Sequence, residues 1–189
     1  GGHTNTVDVT LDGMTYPVDT GFLVLNERTY PNLIRLLAEL DVPTAKSDMS
    51  FAVSVNLGRR RLEWSGTDLN GVFAQRRNLV SPRFLAMLRD ILSFNEHATR
   101  IALGQEGMDG ALSLGAFLDR NGYGTPFRNW YLLPMAAAIW SCPTRAMLAY
   151  PLATFVQFCH NHGLLQIFDR PQWRTVRGGS REYVARIAA

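Results

Sequence analysis

Three short stretches hold residues whose types and spacing can do chemistry: Gly1-Gly2-His3, Asp19-Thr20-Gly21 and Arg177-Gly178-Gly179. Adjacent glycines adopt backbone conformations that other residues avoid, and they let a ligand come close to the main chain. Ahead of a helix, their exposed N–H groups can cradle a planar or anionic group, and Arg177 would add a cation. The same pair also makes a plain strand-to-helix turn, and Asp19 can be a turn-stabilising carboxylate. More specific signatures are missing: there is no nucleophile elbow, phosphate-binding loop, zinc motif or paired-carboxylate motif.

Cys142 and Cys159 are too far apart for a Cys-x-x-Cys site and lack a second pair, which points to reduced core residues in a cytoplasmic protein. His160-Asn161-His162 is the densest histidine cluster, but residues two apart on a helix do not share a face. A capping or hydrogen-bonding role is therefore expected there, and no metal. Aromatic residues concentrate late in the chain. Trp130, Tyr131, Trp140, Phe155 and Phe158 fit an apolar substrate pocket or, at helical spacing, a core.

Composition narrows the classes. Hydrophobic residues make up 47% and charged residues 19% of 189, enough for a folded core and too few charges for a disordered chain. The longest apolar run, Met135 to Trp140, is far short of a membrane span. The net charge is +3, yet Lys46 is the lone lysine and the arginines scatter, with clusters only at Arg59-Arg60-Arg61 and Arg76-Arg77. No stacking aromatics accompany them, so a nucleic-acid partner is not expected.

These residues need elements to position them, and the patterning supplies them. Val7, Val9 and Leu11 alternate up to Asp12-Gly13, and Tyr16 and Val18 resume, which predicts a hairpin. Pro31 opens a helix with Leu33, Leu36, Leu37 and Leu40 on one stripe. Phe51, Val53 and Val55 predict a second ribbon returning through Leu62-Glu63-Trp64. Ser81-Pro82 caps a helix whose Leu85, Leu88, Ile91 and Leu92 face one way, and Gln105 to Gly110 reads as a loop. Ser113 starts a helix that Asn121-Gly122 stops, and Thr125-Pro126 starts one that Pro134 must kink or break. Thr144 to His162 is helical, with Pro151 as a break and Gly163 as a stop. Trp173 to Val176 reads as a short strand, and Ser180 caps a closing helix with Tyr183, Val184 and Ile187 inward. The fold class is α+β, mostly helical, with two small β-ribbons.

Several of these stretches, taken together, resemble the flavin-containing amine oxidase-like oxidoreductases, a superfamily that includes phytoene-desaturase-like and protoporphyrinogen-oxidase-like enzymes. Val18-Asp19-Thr20-Gly21-Phe22, Asn26 to Leu33, Trp130 to Met135 and His160 to Leu165 are similar to a bacterial subgroup described as predicted NAD/FAD-binding proteins. The resemblance covers essentially the whole chain. It implies a single region over 1–189, a substrate domain with flavin-facing edges at 1–22 and 173–181.

The resemblance also suggests what lies outside the chain. In that class a Gly-rich loop on a βαβ unit binds the FAD pyrophosphate, and a Gly-Gly pair follows it. Gly1 would then be an internal point of a longer polypeptide, with the Rossmann-type dinucleotide half upstream. Carried over by position, Gly1, Gly2 and His3 would lie along the FAD phosphate and ribose, although His3 stands where family members commonly have Arg. Thr20, Gly21 and Phe22 would approach the flavin ring, and Arg177, Gly178 and Gly179 would close around it. The implied activity is hydride abstraction from an amine or an apolar lipid-like substrate, with desaturation of a lipid or isoprenoid as the nearest variant. A non-redox helical binding module is the alternative from another class. No catalytic side chain is identified.

Overall fold

The computed structural model describes residues 2–107 and 110–189; Gly1, and Met108 and Asp109 in the loop expected at Gln105 to Gly110, lie outside the described residues. The chain divides into two compact units: a sheet unit made of Gly1–Met49 and Asp169–Ala189, and a helical unit, Ser50–Phe168. Both expected flavin-facing edges belong to the sheet unit.

The sheet unit starts with an antiparallel ribbon of β1 (Thr6–Leu11) and β2 (Met14–Asp19). At its turn Asp12 and Gly13 both have positive φ, 51° and 78°, the type I′ geometry whose twist matches that of the strands. β3 (Leu25–Asn26) leads into α1 (Pro31–Glu39), which begins at its proline and buries Leu37; β4 (Thr44–Ser47) follows.

The helical unit opens with the second ribbon, β5 (Ala52–Asn56) against β6 (Arg61–Ser65). α2 (Leu69–Val72) is capped by Asp68, and a 3-10 turn over Arg76–Val80 leads to α3 (Pro82–Ala102). Ser81 caps α3 as expected, its Oγ accepting the Phe84 N–H at 3.4 Å. The buried stripe differs in part from the expected one: Leu88 and Ile91 are half-buried and pack against the core as expected. Phe84, Met87, Phe94 and Ala98 face inward, while Leu85 and Leu92 are exposed. Both stripes have helical spacing, and the one carrying two phenylalanines removes more apolar area from water.

α4 (Leu114–Arg120) is capped by Ser113 and ends at Asn121. α5 (Thr125–Phe127) continues through a π-helical turn, Arg128–Leu132, into α6 (Leu133–Trp140). The turn accommodates Pro134, which has no N–H to return to the carbonyl four residues earlier. That carbonyl, on Trp130, accepts the Trp64 indole Nε1–H instead, at 3.2 Å. α7 (Thr144–Leu148) and α8 (Leu152–Asn161) are separated at Pro151. Their Met147, Phe155, Val156 and Cys159 join the α3 stripe and Trp64 in one core.

Back in the sheet unit, β7 (Trp173–Val176) inserts between β3 and β4, antiparallel to both. This three-stranded sheet adds to the two expected ribbons. Two of its strands, Leu25–Asn26 and Thr44–Ser47, are too short to show a period of two. α9 (Arg181–Ala188) closes the unit, with Tyr183 joining Leu25, Leu37, Val42 and Val176 in its core. Ile187, expected inward, is exposed near the end of the helix. With 46% helix, 18% strand and antiparallel sheets, the fold is α+β. Among the described residues, no helix is long and apolar enough to cross a membrane.

Candidate functional site

The two edges of the sheet unit meet at Asp19. It ends β2 directly opposite Thr6 of β1. Its Oδ1 accepts the Thr6 hydroxyl at 2.6 Å, the Ser180 hydroxyl at 2.8 Å and the Ser180 N–H at 2.9 Å. Oδ2 shares that N–H at 3.1 Å. Thr6 Oγ1 in turn accepts the Arg181 N–H at 3.0 Å. Thus the exposed N–H groups at the start of α9 are met by a carboxylate and a hydroxyl from the ribbon, the favourable arrangement for a helix N-terminus. Ser180 does not act as the expected side-chain cap: its φ and ψ are helical and its hydroxyl points to Asp19.

Two residues farther along β1, on the same face, Asp8 pairs with the Arg181 guanidinium through two 2.9 Å contacts. The hydrogen bond and charge of Arg181 hold the Asp8 carboxyl below the usual carboxylate range. Thr6, Asp8, Asp19, Ser180 and Arg181 thus form one polar seam linking positions more than 160 residues apart. In the sequence only Asp19 and Ser180 stand out. Thr6 and Asp8 are legible only as the polar positions of the alternating strand.

Glycine is required at two points of this seam. Gly179 has φ +86°, and a Cβ there would collide with the Thr6 side chain. A Cβ at Gly21 would collide with the His3 carbonyl, which accepts the Phe22 N–H at 2.8 Å. Both close approaches are therefore to this chain's own atoms.

The other expected cofactor contacts fall around the seam. Thr20 is tied to Asn5, its N–H reaching the Asn5 carbonyl and its hydroxyl taking the Asn5 side-chain amide. The Phe22 ring packs edge-on against Tyr30 at 5.6 Å. Gly2 opens onto free space, and His3 and Gly178 are exposed. Arg177 fixes its backbone by donating to Pro43, while its side chain is exposed and forms no hydrogen bond or ion pair with described residues. Gly1 lies outside the described residues.

The five aromatic pocket candidates all belong to the helical unit. Phe155 is fully buried; Trp140 stacks on it at 5.5 Å and packs against Phe158 at 4.6 Å. Tyr131 packs with Trp64, Phe51 and Phe127. Trp130 is half-buried beside a groove of about 410 Å³. All five thus pack in or against the core of the helical unit, and Trp130 also lines the groove.

The remaining sequence features resolve locally. His162 donates its Nδ1–H to the Phe158 carbonyl at 2.9 Å and stacks on that ring, capping α8. Asn161 accepts from Gln157. Cys142 and Cys159 are free thiols, and burial pushes Cys159 up to about 12. Among the described residues, no three His, Cys, Asp or Glu side chains converge to hold a metal ion. The sequence matches no protein-family model and no curated protein.

Proposed function

We propose that this chain is the substrate-domain portion of an FAD-dependent oxidoreductase of the flavin-containing amine oxidase type. The observation that carries the reading is the junction at Asp19. Within the two edges that the resemblance assigns to the flavin, 1–22 and 173–181, Asp19 is hydrogen-bonded to Ser180 in one unit although the whole helical unit intervenes in sequence. A second feature agrees. The cross-strand pairs Val7 and Val18, Val9 and Tyr16, and Leu11 and Met14 put six apolar side chains on one ribbon face, each 41–63% exposed. Such a face suits a segment that packs against further polypeptide.

The fit to FAD is specific about which groups remain available. The start of α9 is already filled by Asp19, so a cofactor phosphate would not sit there. Among the described candidates, the Gly2 and Gly178 backbone, His3 and the Arg177 guanidinium are open to a cofactor. Bound flavin would accept the hydride. This chain's own part is to hold the two edges together through Asp19 and to present Arg177 as a cation.

The reading is tested by titrating FAD into the 189-residue chain and into the longer polypeptide that contains it. The longer chain should hold FAD stoichiometrically. The 189 residues alone should bind it weakly, because the strongest phosphate contacts in this class come from a Gly-rich loop and helix N-terminus. A folded, colourless longer chain that FAD does not reconstitute would shift the assignment to a non-redox binding module.

A further inference from the structure

The groove beside Trp130 is lined by arginines and by apolar residues. It lies wholly in the helical unit, where the second ribbon meets the 3-10 turn and the start of α3. Arg60, Arg61 and Arg77 line it, and among the described residues no Asp or Glu does. Arg77 is pinned at its edge, its Nη2 donating to the Arg61 carbonyl at 2.7 Å and to Gln75 at 3.0 Å. Among the described residues Arg61 has one ionic neighbour, Glu63, at 3.9 Å with both side chains exposed, a pairing of little energetic weight. The Arg60 guanidinium makes no hydrogen bond or ion pair with described residues.

Most of the remaining lining residues are apolar. Leu62, Phe84 and Trp130 form part of the lining, and Val80 at the rim is 82% exposed. Asn78 lines the wall too. It is 4% exposed, and its Nδ2 has no hydrogen-bond partner among the described residues, an expensive state for a buried amide. The volume, about 410 Å³, falls within the range of small-molecule sites.

We propose that this groove binds a small amphipathic anion, its carboxylate or phosphate head held by Arg60 beside Arg77 and its apolar body laid against Trp130 and Phe84. Guanidinium groups suit such heads because their fork matches two oxygens at once. An adjacent Trp face supplies apolar area that a free inorganic ion would not use. The site is independent of the flavin reading, since every residue in it belongs to the helical unit.

The test uses the 189-residue chain labelled with 15N and titrated with 4-phenylbutyrate, phenyl phosphate, 4-phenylbutan-1-ol and inorganic phosphate. The expected result is saturable shifts centred on the Trp130 indole N–H and the Asn78 side-chain amide with the first or second probe. The neutral alcohol and inorganic phosphate should each bind at least tenfold more weakly. Arg60→Ala, which removes an exposed side chain with no hydrogen-bond or ionic partner among the described residues, should weaken the favoured anion at least fivefold while leaving the rest of the spectrum in place. Whichever of the first two binds tighter identifies the head group. Absence of saturable binding by both, alcohol binding as tight as the acid, shifts centred elsewhere, or an unchanged affinity in Arg60→Ala would each overturn the proposal.

Discussion

Replacing Asp19 with alanine removes the acceptor for two hydroxyls and one amide at the start of α9. The largest part of the cost falls on Ser180, which is 1% exposed. Its N–H and hydroxyl both reach Asp19, and a buried donor left without a partner costs about 1–3 kcal/mol. Loss of the negative charge at the helix N-terminus adds roughly 0.3–1 kcal/mol. Thr6 recovers part of its loss, because the Ser180 hydroxyl lies 3.3 Å away and the seam is only part-buried. The sum is about 2–3 kcal/mol, equivalent to roughly 30- to 150-fold faster amide exchange wherever opening of the sheet unit limits exchange. The assay is NMR-detected hydrogen exchange of Asp19→Ala against the native chain. Arg181, Tyr183 and the β1–β2 amides report on the seam, and the α3 and α8 amides serve as the internal reference. Asp19→Asn should fall between the two, since its oxygen still accepts while its amide group faces a donor. Less than threefold acceleration at the seam, or the same acceleration in α3 and α8, would refute the assignment of Asp19 as the joint.

Other expectations follow from the same geometry. Gly179→Ala places a Cβ at φ +86° and against Thr6, so it should destabilise the sheet unit by about 1–2 kcal/mol from backbone strain alone, with more from the clash; urea denaturation with exchange mapping reads it. Asp8 has a folded-state pKa below its unfolded value, so its pairing with Arg181 contributes in full above the usual carboxylate range and is lost as pH falls through the lowered value. Protection of the α9 amides should therefore drop below about pH 4, and Asp8→Asn should remove that dependence. Glu106, held low first by its hydrogen bond from His97, should show the same sign. The Cys159 thiol, pushed up to about 12 by burial, should resist alkylation at pH 8 until the chain unfolds, whereas half-buried Cys142 reacts first; equal rates for the two would contradict this placement.

Much of the fold is legible in the sequence because its signals are local. Asp12-Gly13 sets the hairpin, Ser81-Pro82 and Ser113 start helices, and Pro151 separates α7 from α8. Where the outcome depends on distant partners, the pattern is silent. Leu25–Asn26 and Thr44–Ser47 become strands because β7 hydrogen-bonds to both from more than 120 residues away, and nothing in their own residues announces it. The inward face of α3 was ambiguous for a related reason: two stripes share one period, and only packing selects Phe84 and Phe94 over Leu85 and Leu92. At the candidate site, Asp19 and Gly179 stand out by type. Their partner Thr6 does not, since an ordinary strand threonine becomes a cap only when α9 is brought to it. The arginines at 59–61 and 76–77 look like solvated turns in one dimension, and Arg60, Arg61 and Arg77 face one groove in three.

The most direct measurement is the visible absorption spectrum of the longer polypeptide of which, on the proposed function, this chain is a part, recorded as purified and then during anaerobic addition of amines and apolar lipid-like substrates. The account predicts an oxidised-flavin spectrum that bleaches with a substrate of one of these classes. A folded protein with no flavin spectrum, before or after incubation with FAD, would contradict it.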